Sequence, residues 1–254
     1  MILDSFSLDG QVALVTGSTR GLGQGAAIAL AEAGADVALL DRADSTETAE
    51  RIRALGRRAH LVQRDLVQAA PAEIGSAVTE VIGELGRLDI LVNNAGMIHR
   101  APAVDYPADK WNDVLAVNLD AVFHLSQTAG RHMVAQGHGR IINIASMLSF
   151  QGGVFVPAYT ASKHAVAGLT KALANEWAAS GVTVNAIAPG YMATDNTAAI
   201  RADVERERSI LARIPAGRWG TPADLQGTLV FLASAASAYV TGTVVPVDGG
   251  WLVR

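Results

Sequence analysis

The stretch from Val12 to Asp41 leaves this chain few folds to choose from. Val12–Thr16 is an apolar run bounded by glycine and reads as a buried strand. A turn follows, Gly17-Ser18-Thr19-Arg20-Gly21-Leu22-Gly23, then an alanine-rich helix to about Ala33, then a second strand over 36–40 that ends at Asp41. Two strands joined through a helix run parallel, because only a crossover of a dozen or more residues returns the chain to the same edge. The alternation continues. Further strands are predicted at 59–63, 89–92, 140–145, 182–187 and 243–247, and helices at about 22–33, 45–55, 71–85, 109–135, 158–179 and 222–233. Strand and helix in strict turn imply a parallel sheet covered on both faces. The predicted fold is α/β, a single doubly wound, Rossmann-type parallel sheet of about seven strands. No Pro/Ser linker, charge block or internal repeat divides residues 1–254.

Gly21-x-Gly23-x-x-Ala26 fits the dinucleotide fingerprint G-x-G-x-x-G/A. Glycine lets the backbone approach a pyrophosphate, and the helix start offers it free N–H groups. Asp41 lies twenty residues after Gly21, where an acid takes ribose hydroxyls. Its charge opposes the 2′-phosphate of NADP and favours NAD, whereas Arg20 and Arg42 pull the other way. Other candidates also fall just after a strand: Gly17 after the first, Asp65 and Leu66 after the third, Asn93 after the fourth, Ser146 after the fifth and Pro189 after the sixth. Ligands of such sheets bind beyond the carboxyl ends of the strands, so these residues point to one site.

Tyr159 and Lys163 stand four apart and share a helix face, with Ser146 thirteen residues upstream. A lysine ammonium beside a phenol lowers its pKa from about 10, by up to roughly three units, into the range of acid–base catalysis. A Ser146 hydroxyl both donates and accepts, so it can hold a carbonyl or alcohol oxygen against Tyr159. Asn118 lies within a helical pattern it fits poorly. The six histidines show no metal spacing, and no metal is expected.

Thr16-Gly17-x-x-x-Gly21-x-Gly23, Asn93-Asn94-Ala95-Gly96, Asn118, Ser146, Tyr159 and Lys163 together resemble the short-chain dehydrogenase/reductase family over essentially the whole chain. Longer strings, Met1-Ile2-Leu3-Asp4, Ile141 to Gly153, Ala188 to Thr194 and Arg213 to Gly220, are similar to one subfamily. It is described as 2-deoxy-D-gluconate 3-dehydrogenases or 2-dehydro-3-deoxy-D-gluconate 5-dehydrogenases. The resemblance implies hydride transfer between NAD and a secondary alcohol or ketone of a deoxy sugar acid, and a homotetramer. It implies that Asn118 bends its helix and holds a relay water for Lys163, and that Lys163 binds ribose. Thr19, Leu22, Asn93, Ala95 and Gly96 would join the glycine loop around the cofactor, and Asp65 would take the adenine amino group. Pro189, Gly190, Met192 and Thr194 would form the nicotinamide loop, with Met192 a backbone contact. The polar segment at about 195–219 would be a substrate lid; by charge spacing alone it is a solvated helix with an Arg201–Glu205 pair. Arg100, in the loop after strand four, suits the carboxylate of a sugar acid. Gln151, Tyr191 and Trp219 are further lining candidates. The same residues serve a neutral polyol, a 3-oxoacyl thioester or, more remotely, a non-catalytic dinucleotide-binding protein.

Composition narrows the partners. A net charge of −4 argues against non-specific nucleic-acid binding. The absence of cysteine excludes a disulfide framework and thiolate chemistry and suits the cytoplasm. The first residues lack a signal peptide's basic and apolar regions, and no run reaches about 18 apolar residues, so no membrane association is expected.

Overall fold

In a computed structural model, residues 1–254 are described, apart from the side chain of Asn196. Seven parallel strands form one sheet: β1 (Val12–Thr16), β2 (Asp36–Asp41), β3 (Ala59–Gln63), β4 (Ile90–Asn93), β5 (Gly139–Ile144), β6 (Val182–Pro189) and β7 (Val244–Val247). Their order is β3-β2-β1-β4-β5-β6-β7. The order reverses between β1 and β4, which pair in register from Ala13–Ile90 to Val15–Val92. That reversal opens a crevice beyond the carboxyl ends of β1 and β4, the general ligand position of open α/β sheets.

Side chains alternate across the sheet, as the two-residue strand period requires. Ala13, Val15, Val37 and Leu39 face one helical layer, built from α1 (Gly21–Glu32), α2 (Thr46–Ala54) and, in the C-terminal half, Pro222–Ala233. Val12, Leu14, Ala38 and Leu40 face the other, built from α3 (Pro71–Leu85), α5 (Ala121–Gln136) and α6 (Pro157–Trp177). Both faces are covered, so β1 is buried at all five positions. This is why its sequence is a continuous apolar run rather than an alternating one. Each fully buried leucine contributes about 1.5–3 kcal/mol.

The predicted helix at 109–135 is interrupted. The chain forms α4 (Ala108–Leu115), a π-helical turn over Ala116–Asp120, and then α5. Asn118 sits in that turn, fully buried. Its amide prefers the backbone of Met97, as described below, to an outward helical position. Such turns recur at functional sites.

The 195–219 segment is not one continuous helix. It contains α7 (Ala198–Ala202) and α8 (Val204–Leu211), separated at Asp203, whose carboxylate accepts the Arg206 amide and caps α8. The expected Arg201–Glu205 pairing is therefore not made. The two residues lie in different helices, and Arg201 instead donates to the Thr194 carbonyl at 3.2 Å. The remaining helix, Pro222–Ala233, is α9. Among the described residues no helix is long and apolar enough to cross a membrane.

Candidate active site

The glycine turn is built for close approach. Gly17 has φ +67°, and a Cβ there would lie 2.9 Å from the Ala95 Cα. A Cβ on Gly23 would meet the Gly17 carbonyl oxygen, so α1 starts directly against the turn. Gly21 differs: a Cβ there would have Thr194 Cγ2 at 3.8 Å as its nearest neighbour. A gap thus lies between the turn and the loop after β6. The residue before α1 is Arg20, which supplies no side-chain acceptor to the first-turn amides. Uncapped N–H groups facing an open gap fit the pyrophosphate of a dinucleotide.

Neighbouring loops hold this cradle. The Thr16 hydroxyl accepts the amides of Asn94 at 3.0 Å and Ala95 at 2.9 Å. The Asn94 side chain returns the contact, donating to the carbonyls of Thr16 and Gly17. Asp41 accepts the Thr19 amide on one oxygen and the Ala43 amide on the other, both at 3.1 Å. Buried Ser45 meets the Thr19 hydroxyl at 2.9 Å, and buried Thr48 donates to the Ser18 carbonyl at 3.1 Å. Sequence reading quoted Asn94 only as motif and missed Ser45 and Thr48. Their signal was weak, since two hydroxyls at a helix start look like ordinary capping.

Some predicted contacts have other partners. Asn93 faces the core, donating to Ser126 and Asn143, so only its backbone borders the crevice. Asp65 accepts the Val67 amide at 2.9 Å and holds its own turn, while Leu66 is buried in the core. The Met192 carbonyl already receives Thr194 N–H and the Thr197 hydroxyl. A Cβ on Gly190 would lie 2.6 Å from the Asp248 Cα, so this glycine lets the Pro189–Gly190 turn pack on the C-terminal segment. Arg20 reaches across the gap to Asp195 at 3.2 Å, an exposed pair.

The Ser146, Tyr159, Lys163 and Asn118 side chains converge from three elements. Ser146 follows β5 and is buried; its hydroxyl accepts the Leu148 amide at 3.1 Å. Tyr159 and Lys163 lie one turn apart on α6, with the ammonium 5.6 Å from the phenol ring centre. Lys163 donates to the Ile144 carbonyl at the end of β5, and the Ser149 hydroxyl donates to the Lys163 carbonyl. Asn118 accepts the Met97 amide at 2.8 Å and donates to the Met97 carbonyl and the Ser162 hydroxyl. Gly96 completes the enclosure: a Cβ there would lie 3.3 Å from Asn118 Oδ1 and 3.9 Å from Lys163 Nζ.

Burial raises the Tyr159 phenol above its usual value, opposed by the Ser146 hydroxyl and the charge of Arg100. The Lys163 ammonium, 5.6 Å from the phenol ring centre, donates one of its N–H groups to the Ile144 carbonyl. Arg100, exposed on the loop after β4, is the cation that favours the phenolate. Lys163 itself is pushed down to about 8 by burial. Below that pH both folded and unfolded chains carry the charge, and the fold bears the whole cost, about 3 kcal/mol. As pH rises from about 8 towards 10.5 the folded chain releases its proton first, and the cost is relieved. Lys163→Met is therefore expected to melt several degrees above wild type at pH 7, with the gap shrinking by pH 10. A lower melting point at pH 7 would mean that the Ile144 hydrogen bond outweighs the buried charge.

Tyr191 packs edge-on against Trp219 and Trp251, with ring centres 5.4 and 4.8 Å away, beside a cluster that includes Met147, Ile210 and Ile214. Gln151 lies in the loop between Ser146 and α6, half-buried. His164 is exposed and bonded to its own helix. Among the described residues no group of acids and histidines could hold a metal.

A dinucleotide-shaped cradle at the sheet's switch point, facing a Ser–Tyr–Lys set, defines a Rossmann-type oxidoreductase. The chain belongs to the short-chain dehydrogenase/reductase family. A family model described as enoyl-(acyl carrier protein) reductase matches residues 17–252. The 2-dehydro-3-deoxy-D-gluconate 5-dehydrogenase of Bacillus subtilis is 57% identical, covering 99% of this chain and 98% of its own length. Its namesake from Escherichia coli is 55% identical over 100% of both chains. A solved structure from Agrobacterium tumefaciens, described as a 2-deoxy-D-gluconate 3-dehydrogenase with bound NADP, superposes with a TM-score of 0.93. It is 50% identical, covering 99% of this chain and 100% of that one.

Proposed function

We propose that the protein oxidises a secondary alcohol of a deoxy sugar acid of the 2-dehydro-3-deoxy-D-gluconate type, or reduces the matching ketone. NAD is its preferred cofactor. The observation that carries the substrate reading is an exposed cation on the loop after β4: Arg100 precedes Ala101, whose amide is bonded to the Phe155 carbonyl next to the start of α6, the helix that carries Tyr159. An unpaired carboxylate in a closed site would be costly, and a guanidinium offsets that cost. The relatives' names agree with this chemistry.

Ser146 holds the substrate oxygen and Tyr159 moves its proton. Lys163 positions the end of β5 against α6 and reaches towards the cofactor ribose, and Asn118 fixes the Met97 loop beside it. When bound at the glycine turn, a nicotinamide dinucleotide supplies the hydride acceptor or donor. Pro189, Gly190 and Thr194 form one wall of its cleft. The α7–α8 segment serves as the substrate cover, anchored by Ile210 and Ile214 packing near Met147.

The carboxylate of Asp41 supports NAD, since it stands at the end of β2 beside the turn and repels a 2′-phosphate at short range. A second reading, NADP, is favoured by the bound NADP of the Agrobacterium neighbour and by the exposed Arg20 and Arg42. Steady-state kinetics decide both questions. Wild type should show higher kcat/KM for 2-dehydro-3-deoxy-D-gluconate than for neutral polyols, and for NAD than for NADP. Asp41→Ala should move the cofactor ratio towards NADP. A wild type that prefers a polyol removes the sugar-acid reading, and one that prefers NADP removes the role given to Asp41.

A further inference from the structure

Among the described residues Phe155 is the one non-glycine residue with positive φ, at +65°. A left-handed backbone costs a residue with a Cβ roughly 1–2 kcal/mol. Such strain persists only where the surroundings enforce it, and it concentrates at functional sites. Burial does not enforce it here, because Phe155 is 54% exposed and its neighbour Val154 is 75% exposed. Nor does a lack of glycine in the segment: Gly152 and Gly153 stand close by and have ordinary φ.

What the conformation delivers is a carbonyl. Phe155 O accepts the Ala101 amide at 3.0 Å, and Ala101 directly follows Arg100. The next residue, Val156, caps α6, and its carbonyl accepts the Thr160 amide at 2.9 Å. The anchor of the Arg100 loop and the start of the Tyr159 helix are thus adjacent peptide units. A long exposed side chain such as Arg100 takes its position from its backbone, and here that backbone is tied to α6 through Phe155.

We propose that the left-handed backbone of Phe155 is a positioning device that, by holding the Ala101 amide, fixes the Arg100 loop against the start of the helix that carries Tyr159. Two consequences follow. The first, recognition of a carboxylate by Arg100, rests on the substrate reading above. The second does not: the Arg100 charge favours the phenolate, so displacing the loop raises the pH needed to ionise Tyr159.

The test separates backbone from ring. Glycine adopts φ +65° freely, whereas a β-branched residue resists it. Phe155→Gly should stay within about twofold of wild type in kcat/KM on 2-dehydro-3-deoxy-D-gluconate, while Phe155→Val should lose roughly tenfold, mainly through KM. Phe155→Val should also shift the pH–rate profile for oxidation upwards, as Arg100→Ala does. In an Arg100→Ala background Phe155→Val should add nothing, because both act on one element. If valine prevents folding, Phe155→Ala takes its place. A glycine variant as impaired as the valine variant would assign the effect to the ring and overturn the proposal. So would a valine variant indistinguishable from wild type, or one whose shift survives in the Arg100→Ala background. Should Arg100→Ala fail to discriminate acid from neutral substrates, the carboxylate reading falls, and the pH profile alone judges Phe155.

Discussion

Tyr159→Phe is expected to lower turnover at least about a hundredfold, within the 10²–10⁴ that general acid–base catalysis contributes. The phenol oxygen is the group assigned to move the substrate's proton, and only that atom is removed. Tyr159 is half-buried and phenylalanine keeps its ring, so the variant should fold like wild type. The cofactor cradle depends on Gly17, Gly21, Asn94 and Asp41, none of which the substitution touches. Quenching of tryptophan fluorescence by NADH should therefore report near-normal cofactor affinity. Because burial holds the phenol above its usual pKa, wild-type oxidation should quicken as pH rises and Tyr159 loses its proton, whereas ketone reduction should be favoured on the acid side. Retention of more than about a hundredth of the wild-type rate would take the proton-transfer role away from Tyr159.

Arg100→Ala is expected to cost a carboxylated substrate about 2–4 kcal/mol in kcat/KM, roughly thirtyfold to a thousandfold. The guanidinium is the cation on the substrate side whose charge acts on Tyr159, and alanine leaves the substrate carboxylate without it. Arg100→Lys should recover part of the loss, since an ammonium supplies charge without the two-pronged geometry. Neutral polyols should change less, by no more than the loss of Arg100's help in ionising Tyr159. Measuring acid and polyol in parallel, at a pH where Tyr159 ionisation is not limiting, isolates the carboxylate contact. Equal losses on both substrates would mean that Arg100 supports its loop or the phenol alone.

Much of this protein was legible in its sequence because local patterns repeat. The strands predicted at 12–16 and 59–63 and the helices at 71–85 and 222–233 match the observed elements at both ends. Parallel strands must be joined by crossovers, so the strand–helix alternation carried the topology with it. The glycine turn, Asp41, Ser146 and the Tyr159–Lys163 spacing needed only the knowledge that ligands gather at strand ends.

What the tertiary structure decided is which partner each polar group found. The poor fit of Asn118 to the helical pattern over 109–135 marked a break there, but its form, a π turn, depends on the Met97 backbone, twenty-one residues away. Spacing brought Lys163 to Tyr159 but could not reveal that the ammonium would bond to the Ile144 carbonyl at the end of β5. Nor could it show that Arg201 would serve Thr194 instead of Glu205. A sequence pattern reports the period of one element. Hydrogen bonds and charges choose among neighbours that only the assembled sheet and its loops bring within about 3–4 Å. The sequence therefore determined the fold and the cast of the site, and tertiary packing determined how their charges and hydrogen bonds are set against one another.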